Sequence, residues 1–201
     1  ERIERGQAVN DLNWLRLRTP SREFEMWRSL GLLVSNVHNE IEEAMHRTSG
    51  GNDADPVNLL LATLRMGIAD GTGLCMATDL QDIMFGTPMP ILGTFNTGVF
   101  KEDEVNIVVH GHEPTLSDAI VAASQLPEVQ AECAKVGAKG VQLAGICCTA
   151  NEILMRHGVP VAGNFLQQEL AIVTGAADAM VVDVQCEMQS LAQVSKCYHT
   201  S

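Results

Sequence analysis

The spacing of hydrophobic residues changes near residue 86. Before that point, apolar residues recur near the helical period, as do Phe24, Trp27, Leu30, Val34, Ile41 and Met45. This pattern predicts a helical segment over residues 1–85. Breaks are predicted at Ser49–Asp53 and at Gly71–Gly73, the latter separating a helix that starts at Pro56 from a shorter one over 75–84. The segment Gly86–Pro90 is the predicted boundary.

After residue 86, short β-branched runs alternate with helical patterns. Strands are predicted at four places: Val105–Val109, Val141–Ile146, Pro160–Ala162 and Ala179–Val184. Helices are predicted from Thr115 to about Val136, from a capping box at Thr149–Glu152 to His157, and from Asn164 to Gly175. This alternation predicts an α/β fold, with a Rossmann-like parallel-sheet domain over 86–201. The chain lacks an initial Met and stops shortly after Cys197, so we expect an incomplete piece of a longer protein.

Composition narrows the classes of function. The chain has 201 residues, 46% of them hydrophobic, and a net charge of −12. Without a Lys/Arg run, nucleic acid and anionic membrane surfaces are poor partners. The sequence shows no signal peptide and no apolar run near the roughly 18 residues of a membrane helix, so no membrane insertion is expected. Six cysteines without framework spacing indicate the reducing cytoplasm rather than a secreted disulfide protein.

Three turns after predicted strands carry groups that bind soft metals. They are His110-Gly111-His112, Cys147-Cys148, and the turn that ends in Cys186. In an open α/β sheet, ligands gather outside the carboxyl ends of the strands. These turns would therefore bring imidazoles and thiols to one edge, where they suit a soft transition metal or an iron–sulfur cluster.

Each residue also has a plain structural interpretation. A free cysteine is often a small buried hydrophobe, although a helix start after Cys148 would lower its pKa and favour the thiolate. Cys147 is its direct neighbour, so at most one of the pair is expected to bind metal. Asp70, at a predicted helix end, could be a turn residue. If all the thiols are structural, the chain is a non-catalytic α/β assembly module. No phosphate-binding glycine motif and no nucleophile elbow is present.

Longer segments resemble one known family. They are Leu80–Pro88, Val105–Pro114, Gly145–Gly158 and Ala179–Cys186, which follow one another within residues 57–190. Together they resemble the catalytic subunit of the anaerobic nickel–iron carbon monoxide dehydrogenases. Several long motifs in the right order are far more specific than one short pattern.

The resemblance implies a nickel–iron–sulfur cluster of the Ni-4Fe-4S type. His112 would bind the iron that lies outside the cubane, and Cys148 and Cys186 would be cluster ligands, with Cys147 a bystander. His110 and Asp70 would be the catalytic acid–base groups. The remaining ligands, and additional 4Fe-4S clusters, would lie in the full-length parent outside this chain, so the fragment alone should be inactive.

The implied reaction is CO + H₂O → CO₂ + 2H⁺ + 2e⁻, with a ferredoxin-type electron acceptor and a homodimeric full-length enzyme. The nearest alternative is a hybrid-cluster protein related to hydroxylamine reductase. That class also uses glutamate ligands, and none is evident at these strand ends. The His-Gly-His segment favours the CO enzyme.

Overall fold

A computed structural model describes residues 11–34 and 36–201. The chain divides into two compact units, the first ending at Leu80 and the second running from Gln81 to Ser201. The division predicted between residues 85 and 86 stays a prediction; it lies slightly further along the chain than this boundary.

The first unit is helical. Its helices are α1 (Asp11–Arg18), α2 (Ser21–Ser29), α3 (Val37–Ser49) and the start of α4 (Pro56–Phe85). Leu15, Val34 and Ala69 form its buried core. Arg65 pairs with Glu40 and joins α4 to α3.

Two predictions for this unit are wrong in detail. The apolar run from Phe24 to Met45 is not one helical face, because α2 ends at Ser29 and Gly31 takes a positive φ of 69°. Helix α4 continues through Gly71–Gly73, where the buried Thr72 hydroxyl donates a hydrogen bond of 2.7 Å to the carbonyl of Ile68. The Thr72 side chain thus hydrogen-bonds to its own helix and does not interrupt it.

The continuous α4 also changes the expectation about membranes. Among the described residues it is one helix that is long and apolar enough to cross a bilayer by those two criteria alone. A single helix of this kind is weak evidence, because core helices meet the same criteria. The absence of membrane insertion stays a prediction.

The second unit contains a parallel sheet of β1 (Val105–His110), β2 (Val141–Ile146), β3 (Val161–Gly163) and β4 (Ala179–Val182). Its order is β3-β2-β1-β4. The α/β fold with a parallel sheet is confirmed. From β1 the chain adds β2 and β3 on one side and then β4 on the other side of β1. The topological switch point, where such sheets bind ligands, therefore lies between β1 and β4.

Alternate strand residues face opposite layers. Val108 packs with Ala171 on one side of the sheet, and Val109 packs with Ile153 on the other. The helices of this unit are α5 (Pro114–Ser124), α6 (Pro127–Lys135), α7 (Cys147–His157), α8 (Gln168–Val173) and α9 (Leu191–Val194), with 3-10 turns at Thr97–Val99, Phe165–Gln167 and Ser195–Cys197.

The helix starts differ from several predictions. The helix predicted over 115–136 is two helices, because Pro127 starts α6. The N-cap of α5 is Glu113, whose carboxylate accepts hydrogen bonds from Thr115 N (3.0 Å) and Leu116 N (2.8 Å). Helix α7 begins at Cys147, so Thr149 lies inside its first turn and caps nothing. The cap at Asn164 is confirmed.

Candidate metal centre

The strands before the three ligand-bearing turns end at the same level of the sheet. His110 is in register with Ile146 of β2 on one side and with Val182 of β4 on the other. The turns therefore leave the sheet at one edge, and those of β1 and β4 flank the switch point. There the structure brings together His112 and Cys186, with 3.7 Å between the imidazole Nε2 and the thiol Sγ.

The carboxylate of Asp183 fixes the His-Gly-His turn. Its Oδ1 accepts a hydrogen bond from His112 N at 2.8 Å, and its Oδ2 accepts one from Glu113 N at 2.7 Å. Gly111 has a φ of +137°, and a Cβ there would lie 1.6 Å from Asp183 Oδ1. Only glycine leaves room for this carboxylate. From the other side, Thr149 N donates to the carbonyl of Gly111 at 2.9 Å, so all three turns are linked.

A second hydrogen bond orients the His112 ring. Its Nδ1 lies 3.1 Å from the carbonyl oxygen of Val184. A carbonyl only accepts, so this bond assigns the proton to Nδ1 and leaves the Nε2 lone pair free. That lone pair is on the side of Cys186. Metal-binding histidines commonly have this arrangement, in which a backbone carbonyl sets the tautomer.

The two thiols at the start of α7 both interact electrostatically with Cys186. Cys148 is exposed, whereas Cys147 is half-buried and packs against the core cluster that contains Val108 and Ile146. Burial, Cys186, Cys148 and Glu187, in that order, raise the pKa of the Cys147 thiol to about 11. Burial, with Cys186 and Glu152, also raises the pKa of Cys148.

The expectation that the helix start lowers the Cys148 pKa is therefore wrong for this structure. Burial and neighbouring negative charge raise the pKa of both thiols above the ordinary value of 9.0, so both hold their protons at neutral pH. A metal cation would reverse this balance, because it favours the thiolate and releases the proton. The choice of Cys148 over Cys147 as a ligand stays a prediction.

Two carboxylates that sequence reasoning missed as site residues complete the cluster, and the expectation that no glutamate lies at these strand ends is wrong for Glu187. Ligand atoms of His112, Asp183 and Glu187 lie within 4.8 Å of one another. The Oε1 of Glu187 is buried without a hydrogen-bond partner, and among the ion pairs of residues 11–34 and 36–201 none reaches either acid. The only sequence signal was an acid on each side of Gln185-Cys186. Soft donors beside uncompensated negative charge fit a cationic metal group.

The turn after β4 is strained. Gln185 and Cys186 both have positive φ, at 65° and 55°, and so does Cys147 at 65°. A non-glycine residue in this region costs roughly 1–3 kcal/mol, and such residues concentrate at ligand-binding sites. Here all three are in the thiol-bearing turns, so the surrounding contacts must hold these turns in place.

The two predicted acid–base residues lie in different units. His110 is fully buried at the end of β1, where its Nε2 is 3.0 Å from Gln168 Oε1 and its Nδ1 has no partner. Asp70 is exposed on α4 in the first unit. Their catalytic roles stay predictions.

Comparison with known proteins identifies the family. Residues 3–201 match the Prismane/CO dehydrogenase family. The chain belongs to this family. Carbon monoxide dehydrogenase 1 of Methanosarcina mazei is 50% identical over 198 residues, which are 98% of this chain and 31% of that protein. Its namesake in Methanosarcina acetivorans is 52% identical over 91% of this chain and 29% of its own.

Solved structures of this family have the same fold. Carbon monoxide dehydrogenase IV from Carboxydothermus hydrogenoformans matches with a TM-score of 0.88 and 58% identity, over 93% of this chain and 30% of that one. A structure described as NiZn[Fe4S4] and NiNi[Fe4S4] clusters in alpha subunits of acetyl-CoA synthase/carbon monoxide dehydrogenase has a TM-score of 0.88 and 47% identity, over 93% and 28%. The chain thus spans about 30% of the length of the relatives it matches.

Proposed function

We propose that this chain supplies part of the active site of a full-length carbon monoxide dehydrogenase, which catalyses CO + H₂O → CO₂ + 2H⁺ + 2e⁻. The observation that carries the proposal is the pairing of the free His112 Nε2 with the Cys186 thiol, 3.7 Å apart, at the sheet's switch point. Family membership supports it, because the relatives named above are carbon monoxide dehydrogenases.

His112, Cys148 and Cys186 would hold a nickel–iron–sulfur cluster of the Ni-4Fe-4S type, with further ligands from the rest of the full-length protein. When bound, this cluster would supply the centre that binds CO and accepts two electrons. Asp183 would keep the His112 ring in position through the turn, and the Val184 carbonyl would keep the Nε2 lone pair available.

Protons released by the reaction need acceptors. We propose His110 and Asp70 for this role. In His110, Nε2 is bonded to Gln168, so Nδ1 is the atom that would take the proton. Electrons would pass through additional 4Fe-4S clusters to a ferredoxin-type acceptor, and the full-length enzyme would be a homodimer in the cytoplasm.

The test is CO-dependent reduction of methyl viologen by the anaerobically purified full-length protein. Wild type should reduce the dye, and His112→Ala should abolish the reaction. His199→Ala is the matched control, because His199 is exposed and forms an ion pair with Asp178 at 3.3 Å. If wild type is inactive with CO, or if His112→Ala remains as active as His199→Ala, the proposal is wrong.

A further inference from the structure

A buried glutamine outside the predicted ligand set contacts the turn that carries Cys186. Gln168, the first residue of α8, is fully buried. Its Nε2 donates hydrogen bonds to two backbone carbonyls, those of Phe165 at 2.8 Å and of Cys186 at 3.0 Å. The amide nitrogen has two protons, and both are used.

The other end of the same amide is also fully used. Oε1 accepts the backbone N–H of Met188 at 2.8 Å and faces His110 Nε2 at 3.0 Å. Because Nε2 of Gln168 serves two carbonyls, the oxygen must face His110, whose Nε2 therefore carries the proton. The amide orientation is thus determined by four partners from three parts of the chain.

Two of these four contacts reach the strained segment. Gln185 and Cys186 both have positive φ, and Gln168 binds the carbonyl of Cys186 and the N–H two residues later. A strained conformation persists only where its surroundings determine it. Here those surroundings include the Gln168 side chain, which is itself hydrogen-bonded to His110 at the end of β1.

We infer that Gln168 is a positioning residue, which holds the Cys186 turn in its ligating conformation and links it to β1. It acts on this turn through hydrogen bonds to the backbone of Cys186 and Met188. The inference rests on the proposed function in one respect: Cys186 must be a cluster ligand. The hydrogen-bonded link itself is a property of the fold.

Two variants of the full-length protein separate the effect of side-chain length from the effect of hydrogen bonding. Gln168→Asn keeps the amide but is one methylene too short to meet all four partners. Gln168→Met keeps the length and loses the hydrogen bonds. The matched control is Gln193→Asn, the same change at an exposed glutamine of α9. All proteins are loaded anaerobically with nickel and iron.

Three readouts are then compared: nickel retained against a chelator, the electron paramagnetic resonance spectrum of the active-site cluster, and amide hydrogen exchange at Met188. Loss of a residue that orients a metal ligand typically weakens metal affinity roughly 10- to 100-fold. We expect losses of this size in both Gln168 variants, with an altered spectrum and faster Met188 exchange. The control should match wild type.

Either variant, if folded, overturns the inference when its nickel retention, spectrum and Met188 exchange equal those of wild type. If neither variant folds, Met188 exchange in wild type decides, since an unprotected amide contradicts the hydrogen bond. A wild-type protein that binds no nickel would instead refute the proposed function. Met188 exchange in the same samples would still report on the link.

Discussion

Gly111→Ala tests whether Asp183 fixes the His112 turn. A Cβ at Gly111 would lie 1.6 Å from Asp183 Oδ1 and 2.2 Å from its Cγ. No rotation of the new methyl relieves this overlap, so the carboxylate must move. When it moves, the N–H groups of His112 and Glu113 lose their acceptor.

The magnitude follows from these contacts. Alanine at a φ of +137° costs roughly 1–3 kcal/mol. Each lost hydrogen bond to the charged carboxylate costs about 1.5–3 kcal/mol. Even with one bond partly kept, the turn should lose about 3 kcal/mol, which corresponds to more than a hundredfold in an opening equilibrium.

The assay is amide hydrogen exchange of His112 and Glu113 in the full-length protein, with nickel content measured on the same samples. Gly137→Ala is the control, because Gly137 has a φ of +85° and no atom within 4 Å of the added Cβ. The Gly137→Ala variant has backbone strain of roughly 1 kcal/mol but no steric overlap of the new Cβ with another residue. If exchange in Gly111→Ala stays within a few-fold of that in Gly137→Ala, the bracing role of Asp183 is refuted.

Three further predictions concern stability. Burial raises the pKa of Glu113, but hydrogen bonds from Thr115 and Leu116 outweigh it and lower that pKa. The stability that ionised Glu113 contributes is therefore present above the ordinary pKa of 4.5 and is lost as pH falls through the pKa of the folded protein. Glu113→Gln should reduce the loss of stability at acid pH, measured by urea unfolding. The raised pKa of Cys147 has the opposite effect: the metal-free protein should lose stability as pH rises from 9 to about 11. Cys147→Ser should reduce this slope, and Cys148, whose pKa is also raised, should keep the rest. Unfolding at each pH would measure both. Arg156→Leu should lower the free energy of urea unfolding by about 2 kcal/mol, because it removes a nearly buried guanidinium and leaves Gly86 O and Glu152 without this partner. A change near zero would contradict this.

Sequence reasoning worked best where the pattern is local and strongly constrained. β-branched runs placed the four strands with small errors at their ends, and parallel order then followed from strand–helix alternation. The edge where His112 and Cys186 meet could be predicted because parallel strands put their carboxyl ends together. Family resemblance then added the expected ligand identities, which spacing alone left open between Cys147 and Cys148.

The errors came from groups whose hydrogen-bond partners are distant in sequence. The sequence predicts Thr149 as a helix cap, but α7 begins at Cys147, and the backbone N–H of Thr149 donates to the carbonyl of Gly111. Asp183 looked like an ordinary strand residue until pairing of β4 with β1 set it against the His-Gly-His turn. Gln168 gave no sequence signal, because its importance comes from four partners that only the folded chain brings together.

The most direct test of the account is anaerobic metal analysis of the full-length protein, expressed with nickel. Wild type should contain nickel together with several irons per chain, and nickel should fall in His112→Ala and Cys186→Ser. Cys197→Ser, at an exposed cysteine outside the ligand set, should keep wild-type content. Iron without nickel would point to a hybrid-cluster protein. Neither metal in wild type would contradict the account and leave an α/β module whose thiols are structural.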